Sequence, residues 1–188
     1  MSSTLRGALL SLAAFGFYAT HDVVVKLLGE SYTAFQIMFF SGLMGFPLVM
    51  MMLMGDRRDG TLIPRHPWWS ALRSVSAVAT GVMGFFAFSQ LPLAQCYAIF
   101  FAMPLLITLM AIPMLGEKVG LRRGIAVLVG LVGVLIVLRP GGGEGFSFGH
   151  LAAIGAAVTG ALTSVIVRKI GQEERSVVLM LYPMVLTF

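Results

Sequence analysis

Six apolar stretches, each close to the length that crosses a lipid bilayer, dominate this sequence. A bilayer core about 30 Å thick needs about 20 apolar residues in helical form. On that measure the sequence predicts membrane-spanning helices at residues 5–28, 33–54, 69–90, 94–115, 122–139 and 149–169, and the start of a seventh near Val177. The predicted fold class is therefore an all-α membrane protein.

The composition supports this class. Hydrophobic residues make up 58% of the chain and charged residues 11%, with a mean hydropathy of +0.93, whereas soluble domains are about 25% charged. The net charge of +5 does not indicate nucleic-acid binding. Most basic residues lie in short loops between apolar stretches, where membrane orientation accounts for them. The single cysteine, Cys96, excludes an internal disulfide and is expected to be a small buried hydrophobe.

The first apolar stretch recurs later in the chain. Residues 7–29, GALLSLAAFGFYATHDVVVKLLG, match residues 149–171, GHLAAIGAAVTGALTSVIVRKIG, at an offset of 142 positions. Positions with the same residue in both copies include Gly7, Ala19, Val23, Val25 and Gly29. Lys26 aligns with Arg168. A membrane segment that recurs at a fixed interval indicates duplication, and duplicated membrane bundles are most often transporters.

The distribution of Lys and Arg predicts the orientation. Of the 13 basic residues, two lie on one side, Lys26 and Arg139. The other side holds the remaining eleven, namely Arg6, Arg57, Arg58, Arg65, Arg73, Lys118, Arg122, Arg123, Arg168, Lys169 and Arg175. Because cytoplasmic loops are enriched in Lys and Arg, the N-terminus is expected in the cytoplasm. The odd number of spans from one copy to the next inverts the second copy, which predicts an inverted-repeat helical bundle.

The duplication also predicts the domain organisation. Residues 1–139 would form a first five-helix repeat, 140–148 a Gly-rich linker, and 149–188 the start of a second repeat. Twice the 142-residue offset is 284 residues, and the 188 residues of the chain fall 96 short of that. We therefore expect the chain to be a truncated version of a protein with ten transmembrane helices, and we expect no transport by this chain alone.

The first span carries the most unusual polar residues. Tyr18, Asp22 and Lys26 follow one another at intervals of four and so share one stripe of a helix. A central Asp or Lys costs about 2.5–3.5 kcal/mol on insertion, so Lys26 should extend to the outer surface and Asp22 should face a wet or protein interior. Two interpretations stay open: Asp22 pairs structurally with Lys26, or it serves the substrate or proton path. His21, beside Asp22, is able to titrate near neutral pH.

Further candidate substrate-binding residues lie in the next three spans. Gln36 and Arg73 are polar side chains within or at the start of apolar stretches. Tyr97 and Phe101 are one helical turn apart and predict either an aromatic wall or ordinary packing. Pro104 removes a helical hydrogen bond and frees the carbonyl of Phe100, which predicts a kink that lines a cavity.

These residues together resemble a known family. Asp22 and Lys26 in span 1, Arg73 at the start of span 3, LPLAQCYAIFFAMPLL, LGEKVGLRRGIAVLVGLVGVLIVL and FSFGHLAA are similar to the EamA-type branch of the drug/metabolite transporter superfamily. Within that branch, THDVVVKLLG followed by FQIMFF resembles the S-adenosylmethionine uptake transporter-like group. Relatives often carry an Arg where this chain has Ser41, which leaves the substrate class open.

The resemblance implies ten helices in two inverted halves, a central cavity and alternating access without ATP. The expected function is a secondary transporter for a small polar or amphipathic metabolite, such as an amino acid or a nucleoside-like compound. It would act in the bacterial inner membrane, embedded in the lipid bilayer, without cofactor, metal or nucleic acid. A homodimer is compatible with the sequence.

Two other classes of function stay open. An intramembrane enzyme is one, although the sequence contains no HExxH zinc motif, no Gly-x-Gly-Asp pair and no Ser/His pair with suitable spacing. A structural membrane subunit is the other. We expect no enzymatic activity.

Overall fold

The computed structural model describes residues 3–55, 61–138 and 147–187, and within these ranges the chain contains helices and no strand. The helices are α1 Ser3–Leu28, α2 Ala34–Gly55, α3 Pro67–Gln90, α4 Leu93–Phe100, α5 Met103–Leu115, α6 Leu121–Leu138, α7 Phe148–Ile170 and α8 Ser176–Val185. The all-α class is confirmed. The linker expected at 140–148 lies outside the described residues up to position 146.

Five stretches of the described chain are long and apolar enough to cross a membrane. They are Leu5–Leu28, Ala34–Gly55, Pro67–Gln90, Leu93–Leu115 and Phe148–Ile170. Shorter apolar helices lie at Gly124–Ile136, within α6, and at Ser176–Val185. Five of the six expected spans agree with these bounds to within a few residues, because the length of each apolar run sets the length of its helix. The span expected at 122–139 corresponds instead to the shorter apolar helix at Gly124–Ile136. The chain is a multi-pass membrane protein.

The fourth span is broken beside Pro104. Helix α4 ends at Phe100 and α5 begins at Met103, with Pro104 in the first turn of α5. Proline is well tolerated there because the N–H groups of a first turn have no acceptor within the helix. Phe101 and Ala102 form the turn between the two helices.

The packing of α7 against α3 forms the centre of the bundle. Both helices bury small residues: Ser74, Ser76, Gly84 and Ala87 on α3, and Gly149, Ala153, Ala156, Ala157, Gly160 and Ala161 on α7. The Thr80 hydroxyl donates a hydrogen bond of 2.8 Å to the Thr159 hydroxyl across this interface. Small residues let membrane helices approach closely, and hydroxyls then bond between them. The first helix after the linker is therefore built into the core.

The glycines of α3 and α6 fall into two groups. A Cβ on Gly81 would lie 3.2 Å from Met38 Cε, and one on Gly130 would lie 2.7 Å from Leu105 Cδ1. By contrast, a Cβ on Gly84, Gly124 or Gly133 would meet no described atom within 4 Å. A methyl group would therefore fit at these last three positions, although Gly84 itself is buried.

Helices α1 and α7 run in opposite directions along α3. The C-terminal end of α1 meets the C-terminal end of α3, since the Lys26 amine donates to the Leu91 carbonyl at 3.0 Å. The N-terminal end of α7 lies at that same end, where a Cβ on Gly149 would lie 2.9 Å from Gln90 Cβ. The two copies of the recurring segment are thus antiparallel in the structure.

The opposite end of the bundle carries a polar network that joins the loops. The His66 backbone N–H donates to Glu174 Oε1 at 2.7 Å, and the His66 ring lies 2.6 Å from Glu173 Oε2. Lys169 lies 4.3 Å from the centre of the Trp69 ring and donates to the Met114 carbonyl at 3.0 Å.

An ion pair belongs to the same network. Arg168 pairs with Glu117, which the sequence suggests as a partner for Arg122 or Arg123. Arg57, Arg58 and Arg139, which entered the orientation argument, lie outside the described residues.

Candidate functional site

The carboxylate of Asp22 is the centre of the candidate site. Its Oδ2 accepts a hydrogen bond of 2.8 Å from the Tyr97 hydroxyl, and its Oδ1 lies 3.0 Å from His21 Nδ1. The Asp22 side chain is 17% exposed and that of His21 47% exposed. Both oxygens therefore have partners, while one edge of the group still reaches the surface of the described bundle. A carboxylate held this way can exchange a proton or bind a cationic group.

Tyr97 connects this carboxylate to a cleft. Tyr97 belongs to α4, and its ring packs edge-on against Phe88 with 6.4 Å between the ring centroids. Helix α4 therefore positions the Tyr97 hydroxyl beside Asp22 of α1. The cleft has a volume of about 520 Å³ and is lined by Tyr97, Phe101 and Leu105 on one wall and by Gly130, Gly133 and Val134 of α6 on the other. Both members of the expected aromatic pair line the same cleft.

Lys26 does not pair with Asp22 in the described part of the chain. Its amine donates instead to the carbonyl of Leu91, which caps the C-terminal end of α3. Carbonyls at a helix C-terminus lack a partner within the helix and carry partial negative charge, so an amine is favoured there. The interpretation of Asp22 and Lys26 as a structural pair is therefore wrong.

Tyr18 and Gln36 lie apart from this hydrogen-bonded centre. Tyr18 is 67% exposed and makes no hydrogen bond within the described residues. The Gln36 side chain accepts a hydrogen bond of 2.9 Å from the Thr33 backbone, and the Thr33 hydroxyl accepts one of 3.3 Å from the Gln36 backbone. This reciprocal arrangement caps the start of α2. Gln36 also lines a second cleft of about 500 Å³ with Tyr32 and Phe40.

Arg73 forms a separate polar position between α3 and α8. Its guanidinium donates to the carbonyl of Leu179. Pro183, four residues later, has no N–H to bond that carbonyl, which leaves it free for Arg73. Arg73 Nε is buried without a partner, and the side chain forms no ion pair within the described ranges.

The candidate residues thus divide by location. The structure brings Asp22, His21 and Tyr97 into contact, and it adds Phe101 at the neighbouring cleft. It places Lys26 and Gln36 at helix ends and leaves Tyr18 and Pro104 exposed. Cys96 is fully buried, as expected of a small hydrophobe.

One contact was missed at the sequence level. Phe85 of α3 lies 6.0 Å from the His21 ring. Phenylalanine is common in apolar spans, so nothing in the sequence marks Phe85 as a neighbour of His21.

A model of the EamA-like transporter family matches residues 5–139. The chain belongs to this family. The match covers α1 to α6, so all the candidate residues from Tyr18 to Pro104 lie within the EamA-like region. No solved structure matches the chain.

Several curated proteins are similar to this chain. An S-adenosylmethionine uptake transporter of Rickettsia bellii is 26% identical, covering 90% of this chain and 57% of that protein. A riboflavin transporter of Vibrio cholerae is 30% identical, covering 63% of this chain and 40% of that protein. The pseudopaline exporter CntI of Pseudomonas aeruginosa is 24% identical, covering 94% and 61% respectively. The chain therefore spans about half the length of these relatives.

Proposed function

We propose that this protein is a secondary transporter that moves a small polar or amphipathic metabolite across the bacterial inner membrane by alternating access. The observation that carries the proposal is the partly exposed Asp22 carboxylate, which is held by Tyr97 and His21 within a membrane span and pairs with no Lys or Arg among the residues that the structure describes. An ionisable group in a span is costly and is retained where it serves a solute or ion path. Curated relatives named as uptake transporters and as exporters support the same class.

The proposed architecture is a ten-helix bundle of two inverted repeats. Residues 1–139 would form the first repeat, 140–148 the linker and 149–188 the start of the second. The opposite directions of α1 and α7 against α3 support this inversion, since the two helices carry the recurring sequence. Inverted repeats place the solute site at the repeat interface near the middle of the membrane.

The proposed orientation has the N-terminus in the cytoplasm. The end of the bundle that holds Trp69, Glu117, Lys169 and Glu173 is also the end where most basic residues gather. This charge bias supports a cytoplasmic position for that end. Asp22, Lys26 and Leu91 would then lie toward the outer face.

Transport by the purified full-length protein tests the proposal directly. We would reconstitute it in liposomes and measure flux of radiolabelled S-adenosylmethionine, of riboflavin and of an amino-acid panel, under imposed proton gradients. Solute accumulation that depends on the protein supports a transporter. A chemically altered product would support the alternative of an intramembrane enzyme, and the absence of both would support a structural subunit.

Asp22→Asn examines the residue that carries the proposal. Asn retains an acceptor oxygen for Tyr97 and a similar shape, but it does not ionise, so the fold should be kept while flux falls at least about tenfold. Glu30→Gln, a loss of charge at an exposed acid after α1, is the matched control and should leave flux unchanged. Normal flux from folded Asp22→Asn protein would remove Asp22 from the mechanism.

A further inference from the structure

A third cleft lies between α2, α3 and α8, beyond the Asp22 centre. It has a volume of about 300 Å³, at the lower end of the range for ligand sites. Its lining residues include Met38, Met180, Met184 and Phe85, with the hydroxyl-bearing residues Ser41 and Thr187. Methionine side chains are flexible and polarisable, so a wall of three of them adapts to apolar bodies of different shape.

Arg73 lies one helical turn before Ala77, the first residue of α3 that lines this cleft. Arg73, Ala77, Gly81 and Phe85 follow at intervals of four along α3 and so share one stripe, and the last three line the cleft. From the other side, Arg73 donates to the carbonyl of Leu179, the residue before Met180 on α8.

The charge of Arg73 has no counter-ion in the described structure. The guanidinium carries five N–H donors, of which one binds Leu179 and another, on Nε, is buried without an acceptor. Nearby carboxylates are engaged elsewhere: Glu173 and Glu174 bind His66, and Glu117 pairs with Arg168. A cation in an apolar span is costly without an anion, so an anionic group would supply the partner that Arg73 lacks among the described residues.

The far end of the cleft approaches the Asp22 centre. Phe85 lines the cleft and lies 6.0 Å from the ring of His21, which in turn contacts Asp22. Twelve residues separate Arg73 from Phe85, which is about 18 Å along a helix. The Phe85 side of the cleft therefore lies near the Asp22 centre, and the Ala77 side lies one helical turn from Arg73.

We propose that Arg73 and the methionine-lined cleft form a subsite for an amphipathic carboxylate, with the carboxylate on the guanidinium and the apolar body against Met38 and Met180. The inference rests on the proposed transport function and names the substrate class. Arg matches a carboxylate with paired N–H donors, and such charged hydrogen bonds are strong in a dry site. A lipid phosphate offers related chemistry, and the test distinguishes the two sources.

Equilibrium binding tests the subsite without requiring transport. The full-length protein would be placed in nanodiscs of neutral phosphatidylcholine and titrated calorimetrically with 3-phenylpropionate and with its uncharged amide, 3-phenylpropanamide. These probes differ in charge and little in shape. We expect the wild type to bind the carboxylate about tenfold or more tightly than the amide.

Variants at two basic positions locate the effect. Arg73→Gln should bring the carboxylate-to-amide ratio close to one, and Arg73→Lys should keep part of it because the charge remains without the planar fork. Arg65→Gln, which removes an exposed cation outside the cleft, is the matched control and should keep the full ratio. Thermal unfolding confirms that each variant is folded.

Three results would overturn the proposal. They are the absence of binding by either probe, equal binding of both by the wild type, and a ratio unchanged in folded Arg73→Gln protein. Native mass spectrometry in nanodiscs containing phosphatidylglycerol adds the lipid arm. Retention of that lipid by the wild type but not by Arg73→Gln, with no carboxylate preference, would assign Arg73 to a lipid phosphate instead. The binding measurement needs no gradient and no transport. Preferential binding of the carboxylate in nanodiscs, together with an absence of flux in liposomes, would therefore refute transport while supporting the subsite.

Discussion

The Tyr97 hydroxyl is the one group from another helix that donates to the Asp22 carboxylate in the described structure. We predict that Tyr97→Phe lowers flux about tenfold, since a hydrogen bond to a charged group contributes about 1.5–3 kcal/mol and 1.4 kcal/mol is a factor of ten. The ring contact with Phe88 would remain. Initial rates of solute uptake measure the effect. Tyr18→Phe makes the same change at an exposed tyrosine and should match wild type; equal losses in both variants would contradict the assignment.

Lys26 gives the opposite expectation at the residue scale. Lys26→Gln removes the amine that caps Leu91, so we predict a loss of stability of about 1 kcal/mol with flux reduced by less than in Asp22→Asn. The thermal unfolding midpoint and the uptake rate are measured on the same preparation. A loss of flux as large as that of Asp22→Asn, in protein of normal stability, would return Lys26 to the solute path.

At the scale of the elements, the contact between α3 and α7 joins helices α1 to α6 to the last two helices, α7 and α8. A Cβ on Gly149 would lie 2.9 Å from Gln90 Cβ, which is close to the backbone and has little freedom to move. We predict that Gly149→Ala costs about 1–3 kcal/mol and lowers the unfolding midpoint. Gly84→Ala is the matched control on α3, since its Cβ would meet no described atom within 4 Å. Similar unfolding midpoints for the two variants would show that α7 moves to accommodate the added methyl group without a loss of stability.

The elements were also the most predictable level of this fold. The length of each apolar run fixed the helix bounds to within a few residues, and Pro104 marked the break between α4 and α5. The partners of the polar side chains were harder to predict from the sequence. Asp22 and Tyr97 are 75 positions apart, and the partner of Lys26 is a backbone carbonyl, a group that every residue carries. Only the bond from Arg73 to Leu179 had a local signal, namely Pro183 four residues further on.

At the scale of the whole molecule, the orientation in the membrane is the property to measure first. We predict that a reporter fused after Gly60 or Gly120 is active in the cytoplasm and that one fused after Gly142 is active outside. The prediction follows from the excess of basic residues on one side and from the antiparallel course of α1 and α7. Paired alkaline phosphatase and fluorescent-protein fusions provide the measurement. A cytoplasmic reporter after Gly142 would refute both the orientation and the inversion.

The polar network at the Trp69 end joins the loops on that side of the bundle through exposed ion pairs. Exposed pairs such as Arg168–Glu117 and His66–Glu173 contribute about 0–1 kcal/mol each. Together, two such pairs would favour a conformation in which this end is closed over one in which it is open by no more than about thirtyfold, given a factor of ten per 1.4 kcal/mol. Salt would reduce that ratio by screening the charges. In the proposed transport cycle, opening this end would therefore lose little from these two pairs, and a solute that binds the open form about thirtyfold more tightly would offset that loss.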